Sequence, residues 1–161
     1  MRLVFCGINP SLYSAAVGYH FARPGNRFWK TLHAAGFTAQ LLAPHEELAL
    51  LEQGMGITNL ASRATATADE VAPEELREGM QRLRRKIARW RPSWVAFLGL
   101  GAYRCAFGDA RAQLGRQPQM LAGASVWALP NPSGLNAHYQ LDDLARVYAE
   151  LARAAGFHTR E

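Results

Sequence analysis

The chain has 161 residues, of which 49% are hydrophobic, and it carries a formal net charge of +5 at pH 7. Its size suits a single domain over residues 1–161, and no apolar run approaches the roughly 20 residues needed to span a bilayer. Two cysteines, Cys6 and Cys105, are too few for a disulfide framework or a four-cysteine iron–sulfur cluster.

The charge and the opening segment indicate the compartment and the partner. The first apolar residues reach Gly7 too early for a signal peptide, so we expect a cytoplasmic protein, monomeric and without membrane contact. The positive charge favours a polyanionic partner, because each phosphate that Lys or Arg neutralises releases counterions. The densest basic cluster, from Arg82 to Arg91, fits two interpretations, a phosphate-contacting surface and the solvated face of a helix.

Short apolar runs alternate with helical patterns along the chain. This alternation is typical of an α/β fold, a three-layer domain in which a short, mostly parallel central sheet is flanked by helices. After a strand at 3–6, the Gly-, Ser- and Pro-rich residues 7–24 predict a long loop. The later patterns predict strands at 56–60, 94–98 and 125–129, and helices at about 26–36, 44–53, 73–89, 102–107 and 141–155.

Four predicted loops follow strand ends: 7–24, 61–70, 99–101 and 130–138. In open α/β sheets, ligands bind in the crevice at the carboxyl ends of the strands. We therefore expect these loops to share one mouth, and the functional residues to lie there.

Two of these loops contain the same tripeptide. Asn9-Pro10-Ser11 follows the first strand and Asn131-Pro132-Ser133 follows the last. Alone, each is an ordinary turn sequence. Together with segment 18–30, GYHFARPGNRFWK, they resemble the mismatch-specific uracil-DNA glycosylases, the group that includes the thymine-DNA glycosylases. The resemblance extends from about Arg2 to Phe157.

The resemblance implies a uracil-DNA glycosylase-like domain that excises uracil from G·U and related mispairs in double-stranded DNA, without a cofactor or metal. It implies that Asn9 orients the attacking water, Phe21 stacks on the flipped base and Leu135 wedges into the duplex. The expected base-binding residues are Ile8, Ser11, Ser14 and Phe21. The expected DNA wedge and strand contacts are Asn131, Pro132, Ser133, Gly134, Leu135 and Asn136.

The chemistry of these residue types agrees with the roles. A base inside the stack must be flipped out at a cost of a few kcal/mol, which is least for a mispaired base. An aromatic face such as Phe21 holds an extruded base for about 1 to 3 kcal/mol, although Phe21 also fits a core position. Asn9 can bind water but cannot take its proton. Asp69 is therefore a second candidate for water activation, the alternative being an acidic helix cap.

Three positions depart from related patterns. Ser11 stands where the strictly uracil-specific branch has a tyrosine, which predicts tolerance of 5-substituted uracils or etheno-cytosine. Ala137, two places after Leu135, stands where relatives carry an arginine, and this predicts a looser mismatch preference. Asn59 replaces a lysine, which predicts a weaker phosphate contact.

Other chemistries find less support in the sequence. His20, His33, His45, His138 and His158 lack metal-binding spacing, and no serine lies in a G-x-S-x-G elbow. We expect no lysine near Asn9, because Lys30 lies on a helix flank, and this argues against a Schiff-base lyase. Two alternatives stay open: a non-catalytic DNA lesion-binding protein, and a small-molecule enzyme that seats a phosphate at Gly99-Leu100-Gly101.

Overall fold

The computed structural model describes residues 1–157; residues 158–161, and with them His158, lie outside the described part. The strands are β1 (Leu3–Gly7), β2 (Met55–Asn59), β3 (Trp94–Leu98), β4 (Gly115–Leu121) and β5 (Ala124–Leu129). They form one sheet in the order β2-β1-β3-β5-β4. All neighbouring pairs are parallel except β4, which pairs antiparallel with β5 at one edge.

Within residues 1–157 there are six α-helices: α1 (Leu12–Val17), α2 (Phe28–Ala34), α3 (Leu48–Glu52), α4 (Pro73–Trp90), α5 (Leu100–Phe107) and α6 (Leu141–Ala154). Short 3₁₀ turns occupy Pro44–Glu46 and Ala68–Glu70. None of the helices in this part of the chain is both long enough and apolar enough to cross a membrane.

Successive side chains of β1 enter two separate cores. Leu3 and Phe5 pack with residues of α2 and α6, whereas Val4 and Cys6 pack with residues of α4 and α5. Because helices cover both faces of the sheet, every residue of β1 is buried. The predicted fold class, a three-layer α/β domain with a mostly parallel sheet, is confirmed.

Two elements were not predicted. α1 lies inside the expected loop 7–24; Ser11 caps it by accepting a hydrogen bond from the Ser14 N–H at 3.0 Å, and Gly18 ends it at φ 79°. β4 contains Pro118, which cannot donate to a ladder, and its register shifts between Arg116 and Met120. An edge strand tolerates such a proline.

The parallel strands fix where the loops meet. β1, β2, β3 and β5 point the same way, so the segments after Gly7, Asn59, Leu98 and Leu129 leave from one edge of the sheet. α4 starts near this carboxyl edge and leads to the start of β3 at the opposite edge. The carboxyl end of α4 therefore lies towards the edge opposite the loops, although the Lys86 side chain reaches back to Thr58 of β2.

Candidate active site

A cavity of about 400 Å³ opens at the carboxyl ends of β1 and β2. The predicted site residues that line it are Ile8, Asn9, Ser11, Ser14, Phe21, Asn131, Ser133 and Leu135. Those that do not line it are Asp69, Pro132, Gly134 and Asn136. Loop 99–101, expected at the same mouth, does not line it either, and the end of β2 takes part instead.

The Asn9 carboxamide is fixed by the segment after β2. Its Nδ2 donates to the carbonyl oxygen of Arg63 at 2.8 Å and to Oγ1 of Thr65 at 2.7 Å. Both N–H groups are thereby used, and Oδ1 accepts no hydrogen bond from residues 1–157. The amide therefore presents its oxygen, an acceptor, to the cavity that Asn9 lines.

Two further contacts hold this segment. Thr65, 4% exposed, donates from Oγ1 to the Thr67 carbonyl at 2.6 Å, so its hydroxyl links Asn9 to the next turn. Arg63 donates to both carboxylate oxygens of Glu75 at 3.0 and 2.8 Å. The hydrogen bond from Arg63 lowers the pKa of Glu75 below its ordinary value. The partners of Asn9 are thus tied to α4.

Phe21 adopts a left-handed backbone conformation, φ 53°, which costs a non-glycine residue about 1 to 2 kcal/mol. Hydrogen bonds on both sides hold it there: His20 N–H donates to Glu47 Oε2 at 3.0 Å, and Ala22 N–H donates to Ser14 Oγ at 3.0 Å. The Phe21 ring packs on Phe28, with centroids 4.1 Å apart, and also lines the cavity. It therefore offers a supported aromatic surface to a ligand.

Gly7 forms the floor between Phe21 and Asn59. A Cβ at Gly7 would lie 2.5 Å from Asn59 Oδ1 and 3.2 Å from Phe21 Cζ, so only glycine lets the two side chains come this close. The Asn59 carboxamide forms no hydrogen bond within residues 1–157 and lines the cavity. This placement differs from the predicted phosphate contact, because Asn59 faces the same space as Asn9 and Phe21.

The remaining base-binding candidates contribute in different ways. The Ile8 N–H has no hydrogen-bond partner in the described part of the chain, while the Ile8 side chain packs beside the core under α4 and α5. Ser11 Oγ caps α1, and Ser14 Oγ supports the segment around Phe21. A free backbone donor and two engaged serines therefore border the site.

Segment 131–136, called the wedge loop here, is closed by its own hydrogen bonds. Asn131 Oδ1 accepts from Ser133 N–H at 3.0 Å, and Asn136 Nδ2 donates to the Asn131 carbonyl at 3.0 Å. Leu135 N–H donates to Ser133 Oγ at 3.2 Å, and the Leu135 side chain is 60% exposed. An apolar tip thus protrudes from a structured loop at the rim of the cavity.

Asp69 lies on the 3₁₀ turn, is exposed and is absent from the cavity lining. In the same turn, Glu70 accepts from Thr67 N–H at 2.7 Å. Asp69 lies on the same segment as Thr65, the hydrogen-bond partner of Asn9, but outside the cavity that Asn9 lines. The arrangement therefore gives the water-activating role of Asp69 no support.

The cavity lining contains cationic side chains and no carboxylate among the described residues. Arg23 lines it, and so does Lys86 of α4, whose Nζ donates to Thr58 Oγ1 at 3.2 Å. This corrects the expectation of no lysine near Asn9, because Lys86 is distant from Asn9 in sequence but lines the same cavity. Arg84 and Arg85 of the same basic cluster line a separate groove between α4 and α5.

The two cysteines and the acidic residues offer no further chemistry here. Cys6 is buried, and burial raises the pKa of its thiol. Residues 1–157 contain no group of three or more His, Cys, Asp or Glu side chains placed to hold a metal ion. The polar groups of the cavity are thus amides, hydroxyls, backbone donors, cations and the His20 ring, whose Nδ1 contacts Glu47 Oε2 at 2.9 Å.

Fold and cavity together define an α/β domain with a ligand-sized cavity at the carboxyl edge of a mostly parallel sheet. The model of the Uracil DNA glycosylase superfamily matches residues 1–152. The chain belongs to the uracil DNA glycosylase superfamily. This membership makes it a DNA-binding hydrolase that acts on glycosidic bonds in DNA.

Proposed function

We propose that the chain is a monofunctional DNA glycosylase that flips and excises uracil from mispaired duplex DNA and so initiates base excision repair. The observation that carries this proposal is the orientation of Asn9. Arg63 and Thr65 take both N–H groups, so Oδ1 is left to accept a hydrogen bond from a water molecule. Because no carboxylate of residues 1–157 lines the cavity, we assign the orientation of the attacking water to this oxygen.

The reaction breaks the bond between C1′ and the base nitrogen. The electron pair leaves with the base as an anion, and C1′ gains oxocarbenium character. The water oxygen then adds to C1′, and the proton it loses ends on the uracil anion, so the products are neutral uracil and an abasic sugar. The Ile8 N–H and the positive charges of Arg23 and Lys86 favour the departing anion. Because Asn9 cannot take the proton, the rate depends strongly on how readily the base leaves.

Recognition of the flipped base is assigned to Phe21 and Asn59. Phe21 supplies a stacking surface supported by Phe28. The free Asn59 carboxamide offers one acceptor and two donors, which complement the N3–H donor and O4 acceptor of uracil. Cytosine presents an acceptor at N3 and a donor at N4, so the same amide orientation disfavours it.

We attribute the preference for mispairs to Leu135 and the breadth of substrates to Ser11, two residues that line the cavity. Leu135 is placed to fill the gap left in the stack, and the cost of extrusion is least for a weakened pair. Ser11 is a small side chain in the cavity wall, which favours tolerance of 5-substituted uracils or etheno-cytosine. We therefore expect excision from G·U to exceed that from A·U.

The test uses a labelled duplex with one G·U pair, incubated with the chain and then treated with hot alkali to reveal abasic sites. We expect cleavage at uracil only, reduced by roughly 10² or more in Asn9→Ala. Gln119→Ala, an exposed amide on β4, is the matched control and keeps full activity. Asp69→Asn also keeps it. Tight binding without cleavage would instead support the non-catalytic lesion-binding alternative.

Lys86 in the cavity lining calls for a separate measurement. A lyase forms an imine between a lysine and the abasic sugar, which borohydride reduces to a stable protein–DNA adduct. We expect no adduct, because the Lys86 ammonium group is held by its hydrogen bond to Thr58 Oγ1. An adduct lost in Lys86→Ala would show a bifunctional enzyme.

A further inference from the structure

We propose that Arg27 is a positioning residue that clamps the wedge loop to the start of α2, so that uracil excision from a duplex depends on it. Excision of uracil from a single strand does not. This inference rests on the proposed function and adds the means by which flipping is linked to base binding.

The contacts of Arg27 surround the loop tip. Its Nη2 donates to the carbonyl oxygens of Ser133 at 2.6 Å and Asn136 at 3.1 Å, and its Nη1 donates to the Tyr139 carbonyl. The Arg27 backbone N–H and Nε donate to the Pro132 carbonyl at 3.0 and 3.4 Å. One side chain therefore fixes carbonyl groups on both sides of the exposed Leu135.

This clamp is built from charge-assisted hydrogen bonds to neutral groups. Arg27 is partly buried and forms no ion pair within residues 1–157, and its hydrogen-bond acceptors there are all backbone carbonyl oxygens. The backbone fits as closely: a Cβ on Gly134 would lie 2.5 Å from the Gly25 carbonyl oxygen. The loop and the segment before α2 are therefore packed as one unit.

The same segment carries the stacking surface. Arg27 immediately precedes Phe28, and the Phe28 ring supports Phe21 at a centroid distance of 4.1 Å. The Arg27 carbonyl also accepts from Thr31 N–H at 2.8 Å, which joins the clamp to the first turn of α2. The apolar tip that replaces the base and the aromatic ring that receives it are thus held at a fixed separation.

Only a duplex substrate requires both the Leu135 tip and the Phe21 ring. A uracil in a single strand is already unstacked and needs the aromatic surface without the wedge, whereas a duplex uracil needs both. Loss of Arg27 should therefore act on the wedge while leaving Asn9 and its partners in place. A guanidinium is also required by shape, because the three donors of a lysine sit on one nitrogen and cannot span four carbonyls.

The experiment measures kcat/KM for Arg27→Ala and Arg27→Lys on a G·U duplex and on a single strand with the same uracil. We expect the duplex value to fall roughly ten- to a hundredfold in Arg27→Ala, with a smaller fall in Arg27→Lys. The single-strand value should change less than about threefold. A 2-aminopurine beside the uracil reports flipping by fluorescence, and its signal should fall in the same order.

The matched control is Arg104→Ala. Arg104 also holds a loop through a backbone carbonyl, donating from Nε and Nη2 to Ala112 at 2.9 and 2.7 Å, but it lies outside the cavity lining. It should leave the ratio of duplex to single-strand activity unchanged. Equal losses on both substrates in Arg27→Lys, which keeps the charge, would overturn the proposal, and so would an unchanged duplex rate in Arg27→Ala. If the unmodified chain cuts neither substrate, the proposed function fails. The 2-aminopurine fluorescence still tests the role of Arg27, because a fall in the flipping signal in Arg27→Ala does not require cleavage.

Discussion

Replacement of Thr65 by valine tests how the site orients Asn9. Valine keeps the shape of the 4% exposed threonine but removes the hydroxyl that accepts from Asn9 Nδ2 at 2.7 Å. One such hydrogen bond contributes about 0.5 to 1.5 kcal/mol, and each 1.4 kcal/mol is about tenfold in rate. We therefore expect kcat for uracil excision to fall roughly two- to twelvefold, since the amide then turns more easily and Oδ1 holds the water less often.

Single-turnover excision from a G·U duplex measures this effect, because it separates chemistry from product release. Thr38→Val is the control: Thr38 is also buried and donates to a carbonyl, that of Gln40, at 2.8 Å, but it does not line the cavity. It should lose similar thermal stability and no activity. An unchanged rate in Thr65→Val, or a loss as large as in Asn9→Ala, would refute the orientation argument.

Three further predictions concern the loops and the basic cluster. Gly134→Ala should displace the wedge loop and lower duplex excision by up to about 10²-fold, as measured against a single strand. Arg63 lowers the pKa of Glu75, so the ionised carboxylate stabilises the fold above its ordinary pKa of 4.5. This contribution is lost as the pH falls through the lowered pKa, so the melting-temperature difference between Glu75→Gln and the unmodified chain should shrink over that range. Arg84→Gln with Arg85→Gln should leave the salt dependence of DNA binding unchanged, because both line the separate groove; a slope smaller by about 0.9 per removed charge would place them on DNA.

The sheet and the position of the cavity could be predicted because they depend on local patterns. Apolar runs marked the four parallel strands, and the rule that ligands bind at strand ends placed Asn9 and Asn131 at one mouth. β4 was missed because Pro118 and its polar neighbours give no strand pattern. Its strand conformation depends on pairing with β5, a long-range contact that local propensity does not contain.

The orientation of side chains within the loops could not be predicted in the same way. Asp69 and Thr65 lie on one segment, yet Thr65 is buried against Asn9 while Asp69 is exposed on a 3₁₀ turn. The role of Arg27 was also hidden, because its partners are backbone carbonyls more than a hundred residues away in sequence. Carbonyl groups belong to every residue type, so no sequence motif marks them.

The surroundings of Asn9 also decide which side chain can work there. Asn9→Asp introduces the carboxylate base that an amide lacks. Its second oxygen, however, would face the Arg63 carbonyl, an acceptor, at the position where Nδ2 now donates at 2.8 Å. Thr65 Oγ1 is no substitute donor, because its proton already goes to the Thr67 carbonyl at 2.6 Å. A carboxylate would therefore be repelled and turned away from the water.

We accordingly expect Asn9→Asp to excise uracil from a G·U duplex more slowly than the unmodified chain at pH 7, and to be less stable there. Protonation would restore a donor towards Arg63, so the stability deficit of Asn9→Asp should diminish as the pH is lowered. Melting temperatures between pH 5 and 8 check this, with Asn9→Ala as the reference that does not titrate. Excision by Asn9→Asp faster than by the unmodified chain would show that the segment around Arg63 rearranges, and that the amide is not dictated by its hydrogen-bond partners.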